Sequence, residues 1–184
     1  LTSLSRGKDG GTLWAATSSG RVLVSENAND AAANVTFTRI DNPATGTQAP
    51  TRTPSSVTVD PTNPDHAIVT FSGYDSSTPT TPGHVFDVKY DPIAKTATWT
   101  NISFDIGDQP VNDGVLDTAT GDVYVSTDFT VLRLASGTQT WVVAADGIPN
   151  VAVSGLTLAA GTKAGDRLLY AATHGRGAYR LRLK

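Results

Sequence analysis

The chain has 184 residues with 14 Lys and Arg against 17 Asp and Glu, so its formal net charge is -3. This balance argues against the basic patch of a nucleic-acid or anionic-membrane binder. No apolar run approaches the ~18 residues of a membrane helix. The absence of cysteine excludes disulfides and thiolate chemistry. The sequence contains no methionine, and we therefore interpret it as a processed or excised part of a longer chain.

Short runs rich in Val, Thr, Leu, Ile, Tyr and Phe, separated by Gly, Pro, Asn and Asp, predict β-strands along the whole chain. In chain order the runs form four sets. They lie near residues 1–5, 12–17, 21–25 and 35–40; at 56–60, 67–72, 84–90 and 96–102; at 112–116, 122–127, 131–134 and 140–144; and at 153–158, 168–173 and 178–183.

The runs also repeat as phrases in a fixed order. Thr98-Trp-Thr-Asn-Ile102 matches Thr36-Phe-Thr-Arg-Ile40, and Thr12-Leu-Trp-Ala-Ala-Thr17 matches the run that ends at Thr173. A period of roughly 45 residues with four strands per repeat is typical of a β-propeller. The sequence therefore predicts an all-β propeller of about four four-stranded blades, at approximately residues 1–41, 55–104, 110–146 and 150–184.

The last repeat lacks its outer strand, and the N-terminal segment has the pattern of an inner strand rather than a spare outer one. An open stack of blades leaves exposed sheet edges, which proteins normally avoid. We therefore expect the chain to be part of a seven- or eight-bladed ring. Its partners would be the remaining blades, supplied by the N-terminal part of the same precursor or by a second chain.

Three segments resemble the C-terminal blades of secreted sialidase-like propellers, the BNR or Asp-box repeat proteins of the sortilin and xyloglucanase type. They are Val57-Thr-Val-Asp-Pro-Thr-Asn-Pro-Asp65, Pro110-Val-Asn-Asp113, and the stretch from Leu169 to Leu181 with its Thr173-His-Gly-Arg-Gly177 phrase. The resemblance implies a secreted, bacterial protein that contacts glycans or proteins. The Asp-box itself is not intact anywhere, and the full motif set of the sialidase arginine triad is absent.

In a propeller the connections between second and third strands and between successive blades emerge on one face, where ligands usually bind. The candidate ligand-binding residues on this face are Asp41, Tyr74, Asp75, Phe129, His174 and Arg176. Asp108 and Asp128 are the candidate catalytic pair, because glycoside hydrolysis needs one carboxyl as acid and another as base or nucleophile. Asp beside Gly and Pro is also ordinary turn chemistry, and the glycines beside His174 and Arg176 also suit a tight turn.

The three tryptophans fall on strands, which favours packing between blades over sugar stacking. His66 and His84 stand at strand starts without metal-ligand spacing, so we expect surface or core roles and no metal. No cofactor is expected, and no EF-hand-like spacing supports a loop-borne calcium site. Three possibilities stay open: a glycan- or protein-binding scaffold module, a glycoside hydrolase whose active site is shared with the missing N-terminal blades, and a purely structural part whose chemistry belongs to other domains.

Overall fold

The structure is a computed structural model and describes residues 1–183. Its strands run in chain order as β1 (Ser3–Arg6), β2 (Leu13–Ala16), β3 (Val22–Ser25), β4 (Thr38–Arg39), β5 (Thr45–Gly46), β6 (Pro54–Asp60), β7 (Asn63–Phe71), β8 (Val85–Asp91), β9 (Thr96–Asn101), β10 (Val111–Asp117), β11 (Asp122–Thr127), β12 (Val131–Leu134), β13 (Trp141–Val143), β14 (Val153–Ala160), β15 (Arg167–Thr173) and β16 (Gly177–Leu183). Short 3₁₀ turns occupy Ala32–Asn34 and Asp75–Ser77. No helix within residues 1–183 is long and apolar enough to cross a membrane.

The strands form four sheets, which are the blades of a propeller, and within each blade consecutive strands pair antiparallel. Blade 1 is β1-β2-β3-β4, blade 2 contains β6-β7-β8-β9, blade 3 is β10-β11-β12-β13 and blade 4 is β14-β15-β16. The first strand of each blade is the inner strand, and in blades 1 to 3 the fourth is the outer strand. The prediction of an all-β propeller with four blades is confirmed, and within residues 1–183 the last blade has three strands, as the sequence indicates.

Hydrophobic cores lie between the blades, because a blade that has a neighbour on each side buries apolar residues on both faces of its sheet. One core joins blades 1 and 2, one joins blades 2 and 3, and one joins blades 3 and 4. Trp14 and Trp99 lie in the first, Ile68 and Trp141 in the second, and Tyr124 in the third. Burying such a side chain contributes about 1.5–3 kcal/mol, so these interfaces hold the sheets together.

The pairing of the first two strands is interrupted at the same place in three blades. The register shifts between Pro54 and Ser56 in blade 2, between Val111 and Asp113 in blade 3, and between Val153 and Gly155 in blade 4. A β-bulge of this kind leaves one residue unpaired and fixes the register of the residues after it. Positions counted from the bulge are therefore equivalent among the blades.

Adjacent inner strands are joined by hydrogen bonds between a side chain of one blade and the backbone of the next, with lengths of 2.6 to 3.1 Å. Each of the side chains belongs to the earlier blade: Ser3, Ser5, Ser55, Thr58, Asn112 and Asp113. The bulge residues Ser55 and Asn112 play the same part, since each donates to the first residue of the following inner strand. The interface between blades 2 and 3 and the interface between blades 3 and 4 share this arrangement, whereas between blades 1 and 2 the hydroxyls of Ser3 and Ser5 accept from backbone amides.

Tryptophans on the outer strands of blades 2 and 3 join each of these blades to the preceding one. The indole N–H of Trp99 donates to the carbonyl of Ile40 at 2.8 Å, and that of Trp141 donates to the carbonyl of Ile102 at 3.0 Å. Ile40 and Ile102 each directly follow the outer strand of the preceding blade. The prediction that the tryptophans pack between blades is confirmed.

One strand differs from the sequence prediction. The connection between blades 1 and 2 is expected to form only a loop on the ligand face, but its Thr45–Gly46 segment is β5, which pairs in parallel with Thr98 and Trp99 of β9. Gly46 is required there, because its φ is 90° and an added Cβ would collide with the Trp99 carbonyl. This strand covers the outer edge of blade 2.

Candidate functional site

The connections predicted to share one face of the propeller contact one another. The Thr53 hydroxyl donates to the carbonyl of Ser18, the Val151 amide donates to the carbonyl of Phe129, and the His174 amide donates to the carbonyl of Ala152. Each contact joins a turn between a second and third strand to the connection that enters an inner strand. We call this surface the loop face.

The longest connection between two strands of one blade, residues 73–83, is organised around the buried guanidinium of Arg52. Arg52 donates to the carbonyl of Ser72 at 2.9 Å and to the hydroxyl of Thr78 at 2.6 Å, and it also donates to the carbonyl of Gly83. Its ion pair with Asp75 measures 3.1 Å. Five donors on one planar group can hold several turns of a loop at once, which a lysine could not do.

Asp75, His84 and Asp108 meet at the rim of this loop. Nε2 of His84 lies 3.2 Å from Oδ1 of Asp108 and 3.6 Å from Oδ1 of Asp75. The Asp75 amide donates to Oδ1 of Asp108 at 2.7 Å, so the two connections that carry these carboxylates are joined directly. His84 is fully buried, whereas the Asp108 side chain is 47% exposed. We call Arg52, Asp75, His84 and Asp108 the rim cluster.

The hydrogen bonds of the rim cluster determine the tautomer of His84. Arg52 Nη2 lies 3.1 Å from His84 Nδ1, and because a guanidinium only donates, Nδ1 accepts. Nε2 therefore carries the proton and donates to Asp108. Burial lowers the pKa of His84, the neighbouring Arg52 lowers it further, and the carboxylates oppose both effects. Both effects favour the neutral imidazole, and both hydrogen bonds to Asp108 use its Oδ1 atom.

The rim cluster is a poor cation site in this arrangement. One atom each from Asp75, His84 and Asp108 lie within 4.8 Å of one another, which is close enough for a shared ion. A metal would need an unprotonated ring nitrogen, yet Nδ1 is occupied by Arg52 and Nε2 carries the proton. The guanidinium beside Asp75 also repels a cation. The arrangement suits hydrogen bonding to a polar ligand better.

An open cavity of about 550 Å³ lies against the rim cluster. Its wall includes Phe104, Ile106 and Asn101 together with Asp75, His84 and Asp108. Phe104 is 44% exposed and has a φ of 42°, a left-handed conformation that non-glycine residues rarely adopt. Strained, exposed side chains of this kind occur often at binding sites. An exposed aromatic ring and the half-exposed carboxylate of Asp108 therefore line the same open space.

The structure brings together two of the residues selected from the sequence, Asp75 and Asp108. Asp128, the proposed catalytic partner of Asp108, receives a hydrogen bond from Asn112 at 3.0 Å, and within residues 1–183 no hydrogen bond or ion pair joins it to the rim cluster. Asp41 is buried and accepts hydrogen bonds from Arg39 and from the Val22 amide. Its carboxylate therefore stabilises the edge of blade 1, where β3 begins and β4 ends.

The remaining candidates are exposed on the loop face. Tyr74 and Phe129 are 50% and 51% exposed, and His174 and Arg176 stand in the exposed turn between β15 and β16. Sequence reasoning missed the parts played by Arg52 and His84, which lie 32 residues apart in the chain. The one available signal is that His84 directly follows Gly83, at the end of the longest connection between two strands of one blade.

No protein-family model and no curated protein matches the sequence. Solved structures do match. The fold is similar to part of the extracellular domain assigned to a hybrid two-component system, BT4673, of B. thetaiotaomicron, with a TM-score of 0.64, 18% identity, and coverage of 100% of this chain and 21% of that chain. It is also similar to the β-propeller domain of Cps50 (Swd1) from Myceliophteria thermophila, with a TM-score of 0.64, 14% identity, and coverage of 97% of this chain and 51% of that chain.

These similarities establish the fold as a β-propeller. The chain spans about a fifth of the BT4673 chain and about half of the Swd1 domain that it matches. Both structures thus contain further chain beyond the part that resembles these four blades.

Proposed function

We propose that this chain is a binding module of a larger extracellular propeller and that it holds a carbohydrate or a similarly polar ligand at the rim cluster. The observation that carries the proposal is the half-exposed Asp108 carboxylate, fixed by His84 and by the Asp75 amide at the wall of an open cavity beside Phe104. A fixed acceptor beside an exposed aromatic ring is the combination that sugar hydroxyls and sugar faces require. The resemblance to secreted sialidase-like propellers and the fold similarity to an extracellular domain support the location.

The test is binding of soluble oligosaccharides, covering sialylated and plant cell-wall types, measured by NMR titration with the whole chain. We expect at least one class to bind, and we expect Asp108→Asn to weaken it about tenfold or more, because a charged hydrogen-bond acceptor is lost. Asp146→Asn, an exposed carboxylate elsewhere on the loop face, is the matched control. Equal binding by both variants, or binding by no class, would contradict the proposal.

Glycoside hydrolysis is the second candidate, and the observation that favours it is the closeness of two carboxylates. Oxygens of Asp75 and Asp108 lie within 4.8 Å of each other, near the separation of about 5–5.5 Å between the carboxyl groups of retaining glycosidases. This pair differs from the Asp108 and Asp128 pair suggested by the sequence. The reaction predicts release of reducing sugar from a bound oligosaccharide and its loss in Asp108→Asn, whereas a binding module releases none.

The continuation of the propeller beyond these blades is supported at both ends of the stack. Ile68, Tyr124 and Tyr170 hold equivalent positions; the first two are buried against the next blade at 1% and 4% exposure, whereas Tyr170 is 38% exposed. At the other end Leu4 and Phe37 are 56% and 45% exposed on blade 1. These are surfaces that a neighbouring blade would cover, so the partners we propose are further propeller blades.

A further inference from the structure

The interface between blades 3 and 4 contains a cavity. It is partly open, and its lining is mainly apolar: Ala144, Ile148, Leu169, Ala171, Tyr179 and Leu181. Ala144 and Ile148 follow the outer strand of blade 3, and the other four residues belong to β15 and β16.

Counting positions from the bulge shows what occupies this place in blades 2 and 3. In blade 2 the cross-strand row that begins at Val59 runs through Ala67 and Val88 to Trp99. In blade 3 the equivalent row runs from Leu116 through Val123 and Leu134 to Trp141. Both rows end in a tryptophan on the outer strand.

In blade 4 the same row runs from Leu158 through Leu169 to Leu181 and stops there, because no strand within residues 1–183 pairs with the outer side of β16. Leu181 is thus the equivalent of Val88 and Leu134, the residues that pair with Trp99 and Trp141. In blades 2 and 3 the fourth member of the row is a tryptophan.

The neighbours of Trp99 also have equivalents around the cavity. Trp99 packs edge-on against Phe86, with ring centroids 5.7 Å apart, and donates to the carbonyl of the residue that directly follows β4. By register Tyr179 is the equivalent of Phe86. In each blade, this residue of the third strand pairs with the second-strand residue that lies opposite the second position after the bulge. Ala144 directly follows β13, just as Ile40 directly follows β4. The Ala144 carbonyl is therefore the equivalent of the Ile40 carbonyl that accepts from Trp99.

We propose that this cavity is a docking site for a tryptophan on an extended segment from outside these 184 residues, which pairs with β16 as the fourth strand of blade 4. The indole would lie against Leu181 and Tyr179 and donate its N–H to the Ala144 carbonyl. The indole N–H groups of all three tryptophans of the chain already donate to carbonyls within these blades, two of them at the equivalent sites. The occupant is therefore a segment from outside. The proposal rests on the proposed continuation of the propeller and is independent of ligand binding at the rim cluster.

The test uses a capped peptide, Thr-Ala-Thr-Trp-Thr-Asn-Ile, copied from residues 96–102, titrated into the whole chain and followed by calorimetry and NMR. We expect saturable binding, with shifts at β16 and around Ala144, and at least a tenfold loss of affinity when the peptide Trp is replaced by Ala. The comparison of the two peptides needs no change in the protein. Equal binding of both peptides, or no binding of either, would overturn the proposal.

A protein variant gives a second measurement. Ala144→Phe fills the cavity from blade 3 and should weaken the tryptophan peptide at least tenfold. Ala119→Phe makes the same substitution at an exposed alanine in the turn between β10 and β11 of the same blade and should leave peptide affinity unchanged. Oligosaccharide binding at the rim cluster should be the same in both variants, so failure of this proposal is distinguishable from failure of the proposed function.

Discussion

Arg52 is the side chain on which the arrangement of the long loop and of His84 depends. We predict that Arg52→Met lowers the free energy of unfolding by about 3 kcal/mol, because it removes the ion-pair partner of Asp75 and the donor to the Ser72 carbonyl and the Thr78 hydroxyl. Urea unfolding of the whole chain measures this. Arg176→Met, at an exposed position, should change the free energy by no more than about 0.5 kcal/mol. Equal losses in both variants would contradict the role of Arg52.

The rim cluster was only half predictable from the sequence. Asp75 and Asp108 could be selected because acidic residues in the connections on the loop face are candidate ligand-binding residues even when their hydrogen-bond partners are unknown. His84 and Arg52 could not, because a lone histidine at a strand start and a lone arginine in a loop carry no local motif. Their importance comes from a contact between connections that only the folded blade brings together.

At the scale of single strands, His66 on β7 links two neighbouring elements. Its Nδ1 lies 2.9 Å from Oδ2 of Asp60, at the end of β6, and its Nε2 lies 3.0 Å from Oδ2 of Asp87 on β8. The hydrogen bond to Asp87 raises the pKa of His66, Asp60 adds to the effect, and burial opposes it. Both ring nitrogens can donate only in the charged form, so the imidazolium is the form that the fold stabilises.

This arrangement predicts a pH-dependent contribution to stability. Because the folded pKa of His66 is raised above its unfolded value, the contribution is fully present below that unfolded value and is lost as the pH rises through the folded pKa. His66→Asn should therefore lower the free energy of unfolding by about 2 kcal/mol at pH 5.5 and by clearly less at pH 9. The matched control is His174→Asn, at an exposed position, whose effect should be small at both pH values. A loss that is the same at both pH values would exclude this role.

Most strands were predictable because alternating apolar residues and Gly, Pro, Asn or Asp turns mark them. The exception is β5: a Thr-Gly pair has no apolar alternation, and its pairing with β9 depends on the absence of a side chain at Gly46. The repeated phrases also located the tryptophans correctly. Thr-Trp-Thr-Asn-Ile reflects a local rule, in which the ring at its second position packs against the preceding blade.

At the scale of the whole molecule, apolar side chains are exposed at both ends of the stack of blades. We predict that the isolated chain self-associates at high concentration, because Tyr170 at one end and Leu4 at the other lie on faces of the kind that blades bury. Sedimentation velocity should show this, and Tyr170→Lys should weaken the association at least tenfold. Ile93→Lys, at a fully exposed turn, is the control. A 19.1 kDa monomer at every concentration would contradict the prediction.

The hydrogen bonds between inner strands give the stack of blades a direction. Each contributing side chain belongs to the earlier blade and each backbone partner to the later one. The two ends of the stack therefore differ chemically: one presents side chains for such bonds and the other presents backbone groups. A two-fold pairing of like ends would not repeat these hydrogen bonds, because each end carries only one half of the pattern, so an added blade that repeats them joins head to tail. Thr157, which stands in blade 4 where Thr58 stands in blade 2, is the next group placed for such a bond, whereas the hydroxyl of Ser154, the counterpart of Ser55, donates to the Ala172 carbonyl of its own blade.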